Sequence, residues 1–154
     1  MLTDEERQTI EKEITDCERP ESASVEALQA LQRHRGWISD EAIRDVAPFV
    51  GMSPEELDGV ATFYSFIFRR AVGRHVIFLC DSVSCYIMGH ENILELLTRR
   101  LGIGMGETTP DSRFTLLPVS CVGMCDHAPA MMVDDDLYGD LNDTKIDEIL
   151  EKYV

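Results

Sequence analysis

In the first half of the chain apolar residues recur at helical spacing, with polar punctuation between the runs. Thr3 and Glu6 form a capping-box pair that opens a helix expected to reach about Cys17. Residues 18–22, with Pro20 among them, break it, and Ser22 or Ser24 is placed to cap a second helix. Val25, Leu28 and Leu31 fall three apart on one face of that helix. Arg33, His34 and Arg35 suit the negative end of its dipole, and Gly36 stops it. Ser39 opens a third helix with Ile43, Val46, Ala47 and Val50 inward, kinked at Pro48 and ended by Gly51. Ser53-Pro54-Glu55-Glu56 is a strong fourth start, with Ser at the cap, Pro at the first position and Glu at the third. The apolar run 60–68 reads equally well as the end of this helix or as a strand.

The pattern changes near Gly73. Residues 74–79 are β-branched and apolar, which predicts a buried strand. Residues 87–101 carry a helical pattern through Ile93, Leu94, Leu96, Leu97 and Leu101. Two further strands are expected over 114–119 and 130–133. Asp134-Asp135-Asp136 is expected as a solvated turn, and 137–141 as the return of a hairpin. Asp143 or Thr144 then caps a last helix to about Tyr153. The order β-α-β-β-α describes a small α/β domain on a mixed sheet. The chain therefore divides near residue 72 into a helical part, 1–72, and an α/β part, 73–154; overall it is α+β.

Composition narrows the function. With 154 residues the chain is large enough to bury a core without disulfide staples. Fourteen basic against 29 acidic residues give a net charge of −15, which opposes binding to nucleic acid or to anionic lipid. The charge is −7 up to residue 72 and −8 beyond it, so the acidity marks no single site. No apolar run approaches the length of a membrane span, and the acidic start resembles neither a secretory signal nor a transit peptide. With five cysteines, an odd number, the chain is expected in the cytoplasm rather than in an oxidising compartment.

Four of those cysteines form two pairs in the α/β half: Cys80-x4-Cys85 and Cys121-x3-Cys125, with 35 residues between them. Each pair follows the end of a predicted strand, so loops at one sheet edge can bring four thiols together. Four thiolates suit an iron–sulfur cluster or a structural zinc ion. Ser82, Ser84, Ser120 and Gly123 are small enough to let backbone N–H groups reach the sulfurs. Thiol–disulfide chemistry is a third reading, against which stands the absence of Cys-x-x-Cys. Cys17 is read as a bystander, and His127 as a minor candidate ligand. The glycines at 102, 104 and 106 do not make a dinucleotide fingerprint, since Glu107 stands where the third glycine belongs.

The cysteine pattern, taken with Gly59-Val60-Ala61-Thr62-Phe63-Tyr64, Arg113-Phe114-Thr115-Leu116, Cys121-Val122-Gly123-Met124-Cys125, Ala128-Pro129-Ala130-Met131-Met132 and Tyr138-Gly139-Asp140-Leu141, resembles a known family. It is that of the small 2Fe–2S subunits of NADH–quinone oxidoreductases, with a thioredoxin-like ferredoxin domain. The resemblance spans nearly the whole chain. It implies an N-terminal helical bundle followed by a thioredoxin-like domain. It implies that Cys80, Cys85, Cys121 and Cys125 ligate one 2Fe–2S cluster, two to each iron. It further implies a flavoprotein partner that binds NADH, FMN and a 4Fe–4S cluster, with other subunits of a peripheral arm on the cytoplasmic face of a membrane. Single electrons would pass between the cluster and FMN, while Trp37, Phe63 and Tyr64 are assigned to packing and partner docking. Equivalent subunits of NAD-linked hydrogenases and formate dehydrogenases, a zinc-bearing adaptor, and a homodimer in isolation remain alternatives.

Overall fold

The computed structural model describes residues 1–153; they form two compact units, Met1–Ala71 and a second from Val72 onward. The first is helical: α1 (Asp4–Thr15), α2 (Ser24–Arg35), α3 (Asp40–Val46) and α4 (Pro54–Phe63), with a 3-10 turn at Pro20–Ala23. Both capping boxes form. Thr3 accepts from the Glu6 N–H and Ser53 from the Glu56 N–H, each glutamate reaching back to the cap. Two expectations change, and one open reading is decided. Helix α2 has no side-chain cap, because the 3-10 turn runs straight into it and Ala23 takes the cap position. Helix α3 stops at Val46 instead of bending through Pro48, which has no N–H to continue the helical hydrogen bonds. The run after Val60 is the last turn of α4, and the chain leaves it at Tyr64 with extended backbone.

Ile10, Leu28, Leu31, Ile38, Val46 and Leu57 are fully buried together and form this unit's core. Ile38 takes the core place; Trp37 beside it is only half-buried. At the edge of that core Glu6 is 5% exposed and meets Arg35 in a two-pronged ion pair at 2.6 and 2.8 Å. The Arg35 hydrogen bonds hold the Glu6 carboxyl down to about 2 from its usual 4.5, against the opposing cost of burial. A depressed carboxylate stabilises fully above pH 4.5, and that stabilisation is lost as pH falls towards 2. Glu6→Gln is expected to cost about 2 kcal/mol at pH 7 and to flatten the acid limb of a urea-midpoint-versus-pH curve between those values.

The second unit is built on a four-stranded sheet in the order β2-β1-β3-β4, with β1 (His75–Cys80), β2 (Phe114–Val119), β3 (Met131–Val133) and β4 (Asp136–Tyr138). Strands β1 and β2 are parallel, so a crossover joins them. It carries α5 (Val83–Ile87) and α6 (His90–Leu101). The single helix expected over 87–101 is thus preceded by a separate short one. Gly89, at φ 111°, makes the break in a conformation that side chains resist. Helix α7 (Asp143–Lys152) is capped by Asn142 rather than by Asp143 or Thr144, the Asn142 side chain accepting from the Lys145 N–H. Ile77, Leu79, Leu97, Leu116, Met131 and Ile146 are fully buried between the sheet and α6 and α7. This mixed sheet with packed helices is a thioredoxin-like α/β arrangement. Among the described residues no helix is long and apolar enough to cross a membrane.

Candidate metal centre

Register brings the cysteines to one end of the sheet. Cys80 is the last residue of β1 and lies opposite Val119, the last residue of β2; Leu79 lies opposite Met131, the first residue of β3. The segments that leave β1 and β2 and the one that enters β3 therefore share an edge. Cys80 is held on the sheet: its N–H donates to the Ala130 carbonyl at 3.1 Å, and it is 2% exposed. Cys85, equally buried, sits within α5 rather than in the loop expected for it. Cys121 is in open loop and Cys125 begins a 3-10 turn, Cys125–His127; both are exposed.

The thiols meet in pairs. Cys80 hydrogen-bonds Cys85, and Cys121 hydrogen-bonds Cys125. The pairs also sense each other, since Cys125 interacts electrostatically with both Cys85 and Cys80. Burial pushes the Cys85 thiol up to about 11, and the Cys80 thiol beside it adds to the shift. Cys125 is also raised, first by its hydrogen bond to Cys121 and the charge there. Such thiols keep their protons until a positive charge arrives among them.

Three groups already act on the sulfurs. The Gly123 N–H donates to the Cys121 sulfur at 3.3 Å, while the Ala130 backbone and the Ser84 hydroxyl pull the Cys85 and Cys125 thiols back down against the other shifts. Hydrogen bonds of this kind stabilise thiolates and tune a metal held by them. Among the described residues no three His, Cys, Asp or Glu side chains close on a point that holds one metal ion. Four sulfurs in two pairs are the donor set of a two-iron core and equally of a tetrahedral zinc ion.

Of the residues around the site, His90 carried no functional signal in the sequence, and Gly139 and Asp140 entered only through the motif over 138–141. His90 is buried at the start of α6, where its Nδ1–H donates to the Cys80 carbonyl at 2.8 Å, and Tyr86 stacks on its ring. Gly139 and Asp140 lie against the 3-10 turn that begins at Cys125. His127 is exposed and tied to Asp140, which, with the Asp126 charge, holds its imidazole above the usual value. Cys17 lies in the other unit, just past the end of α1.

The chain is similar to known proteins over nearly its whole length. The family model described as thioredoxin-like [2Fe-2S] ferredoxin matches residues 10–154. The E subunit of the NADH-quinone oxidoreductase of Pseudomonas aeruginosa is 50% identical over 154 residues, covering 100% of this chain and 93% of that one. Its namesake from Escherichia coli strain K12 is 49% identical over 152 residues, covering 99% and 92%. Among solved structures, an NAD+-reducing [NiFe]-hydrogenase superposes with a TM-score of 0.70 at 27% identity over 82% of this chain. The match takes in 22% of that longer hydrogenase chain.

Proposed function

The chain belongs to the family of NADH-quinone oxidoreductase E subunits, within the thioredoxin-like [2Fe-2S] ferredoxins, and from that membership we propose that Cys80, Cys85, Cys121 and Cys125 hold one 2Fe–2S cluster. The protein is then a one-electron carrier in the NADH-oxidising module, not a complete enzyme. Its partner is a flavoprotein subunit that binds NADH, FMN and a 4Fe–4S cluster, with which single electrons are exchanged. Further subunits of the peripheral arm complete the assembly on the cytoplasmic face of the membrane. The observation that carries this reading is the convergence of two thiol pairs at the shared end of parallel β1 and β2, each with backbone or hydroxyl groups acting on sulfur.

When bound, the cluster supplies reversible one-electron chemistry. The residues of the chain do the rest. Cys80 and Cys85 give a buried half, shielded from water, and Cys121 and Cys125 an exposed half. The Gly123 N–H, the Ala130 backbone and the Ser84 hydroxyl offset part of the thiolate charge. The net charge of −15 disfavours an added electron and keeps the potential low. Purification without oxygen should give two irons and two labile sulfides per chain, and a low-temperature EPR signal after dithionite. One zinc, no sulfide and no signal would replace this reading with a zinc-held adaptor.

The hydrogenase match supports a second host, an NAD+-reducing complex of that kind. Docking to either host is assigned to the helical unit, on whose surface Phe63 is 78% exposed with Tyr64 packed edge-on against it. Deleting residues 1–71 is expected to leave the cluster in place and abolish co-purification with the flavoprotein. Retained co-purification of the shortened chain would refute the docking assignment, and the identity of the captured partner decides the host.

A further inference from the structure

The two thiol pairs are secured by different means. The strand holds Cys80 directly, while Cys121 and Cys125 lie beyond the end of β2, exposed. What lies against the turn that begins at Cys125 is the segment between β4 and α7. A Cβ on Gly139 would stand 2.6 Å from the His127 Cβ, 2.8 Å from the His127 carbonyl oxygen and 3.0 Å from the Met124 Cε. Contacts that short do not occur between packed atoms, so the approach requires glycine. The next residue, Asp140, donates its N–H to the His127 carbonyl at 2.6 Å and accepts from the His127 Nδ1–H at 2.8 Å. It does so at φ 50°, a conformation Asp and Asn tolerate better than other side chains. Leu141 then donates its N–H to the Pro129 carbonyl at 3.1 Å.

Three successive residues thus grip the loop on the far side of Cys125. Their own anchorage is firm: Leu141 is 6% exposed in the core, and α7 follows with Ile146 and Ile149 buried in it. We propose that Gly139 and Asp140 form a positioning clamp that sets the distance of the exposed Cys121–Cys125 pair from the buried Cys80–Cys85 pair. The clamp acts through His127 and Met124, touches no sulfur, and rests on the four-thiolate reading above. It makes the separation of the pairs a property of the core-anchored β4–α7 segment rather than of the loop sequence.

The test uses the full chain loaded with its cluster, comparing Gly139→Ala, Asp140→Ala, Asp140→Asn and the charge control Asp135→Asn on the exposed β3–β4 turn. Iron release to a chelator is expected to quicken about 10- to 100-fold in Gly139→Ala and Asp140→Ala, the usual cost of losing a partner behind the ligands. The EPR g-values of the reduced protein should shift with it. Amide exchange should rise in residues 121–128 but not in β1 or β2. Asp140→Asn keeps a side-chain acceptor and tolerates the backbone angle, so it should stay within about twofold of the parent, as should Asp135→Asn. Unchanged release and unchanged exchange in Asp140→Ala would overturn the clamp. So would exchange that rises equally through β1 and β2, which marks a general loss of stability. Should Gly139→Ala not fold, the Asp140 pair decides alone. A parent protein without iron would refute the cluster reading instead, and exchange in 121–128 would still judge the clamp.

Discussion

Cys85→Ala is expected to reduce bound iron and labile sulfide to about a tenth of the parent level or less and to abolish the EPR signal of the reduced protein. Cys85 is 2% exposed on a helix packed at the sheet end, and its thiol hydrogen-bonds Cys80. Losing it removes one of four sulfurs and leaves Cys80 with no partner in its half of the site. No other cysteine lies in the second unit to take its place, since the fifth, Cys17, is in the first. Serine at the same position should do no better, because its hydroxyl would be buried without the thiolate's charge. The contrast is Cys121→Ser. That side chain is exposed, water can solvate the substituted oxygen, and part of the iron should be retained. Iron and sulfide assays on purified protein, with thermal unfolding to confirm a folded chain, check both expectations. Equal loss in the buried and exposed variants would show that exposure does not grade the two halves.

The second large effect concerns the platform under the site. Ile77 is fully buried in β1, the strand that pairs with β2 on one side and β3 on the other, opposite Leu116 and Val133. Ile77→Ala removes three carbons from a packed core and is expected to cost about 3 kcal/mol. For a unit of this size that lowers the midpoint of unfolding by roughly 15 °C. The one tryptophan, Trp37, lies in the first unit, so its fluorescence reports that unit while circular dichroism reports both. A fall in the second unit's transition with the Trp37 transition moving less is the expected outcome. The cluster should then be lost at a lower temperature, because β1 carries Cys80 at its end.

Much of the first unit is legible in the sequence alone. Its cap signals are local: a side chain satisfies an N–H three residues away, and the capping boxes expected at Thr3 and Ser53 both form. Expectation and structure part where neighbours in space compete with local preference. The pattern over 87–101 shows one helix and conceals α5, because the four residues of α5 other than Cys85 face outward or half-outward and leave no buried stripe. Val83, Tyr86, Ile87 and Met88 are all more than half exposed, so hydrophobicity there does not mark a core. Cys85, expected in a loop, is accordingly held by a helix.

The cysteine types and spacings, and the strand ends that carry them, are properties of the sequence by itself. Hydrophobic period and thiol chemistry are written residue by residue, and they suffice to describe a mixed α/β unit with four candidate ligands after two strands. The tertiary structure alone decided how the four thiols are graded and held. Parallel pairing of β1 with β2 put Cys80 beside Val119. Burial separated one thiol pair from water and left the other in it. The chain returning 59 residues after Cys80 set Gly139 against His127. These are relations between residues apart in sequence, fixed by packing around a shared core, and no local pattern encodes which backbone will press on a cysteine loop.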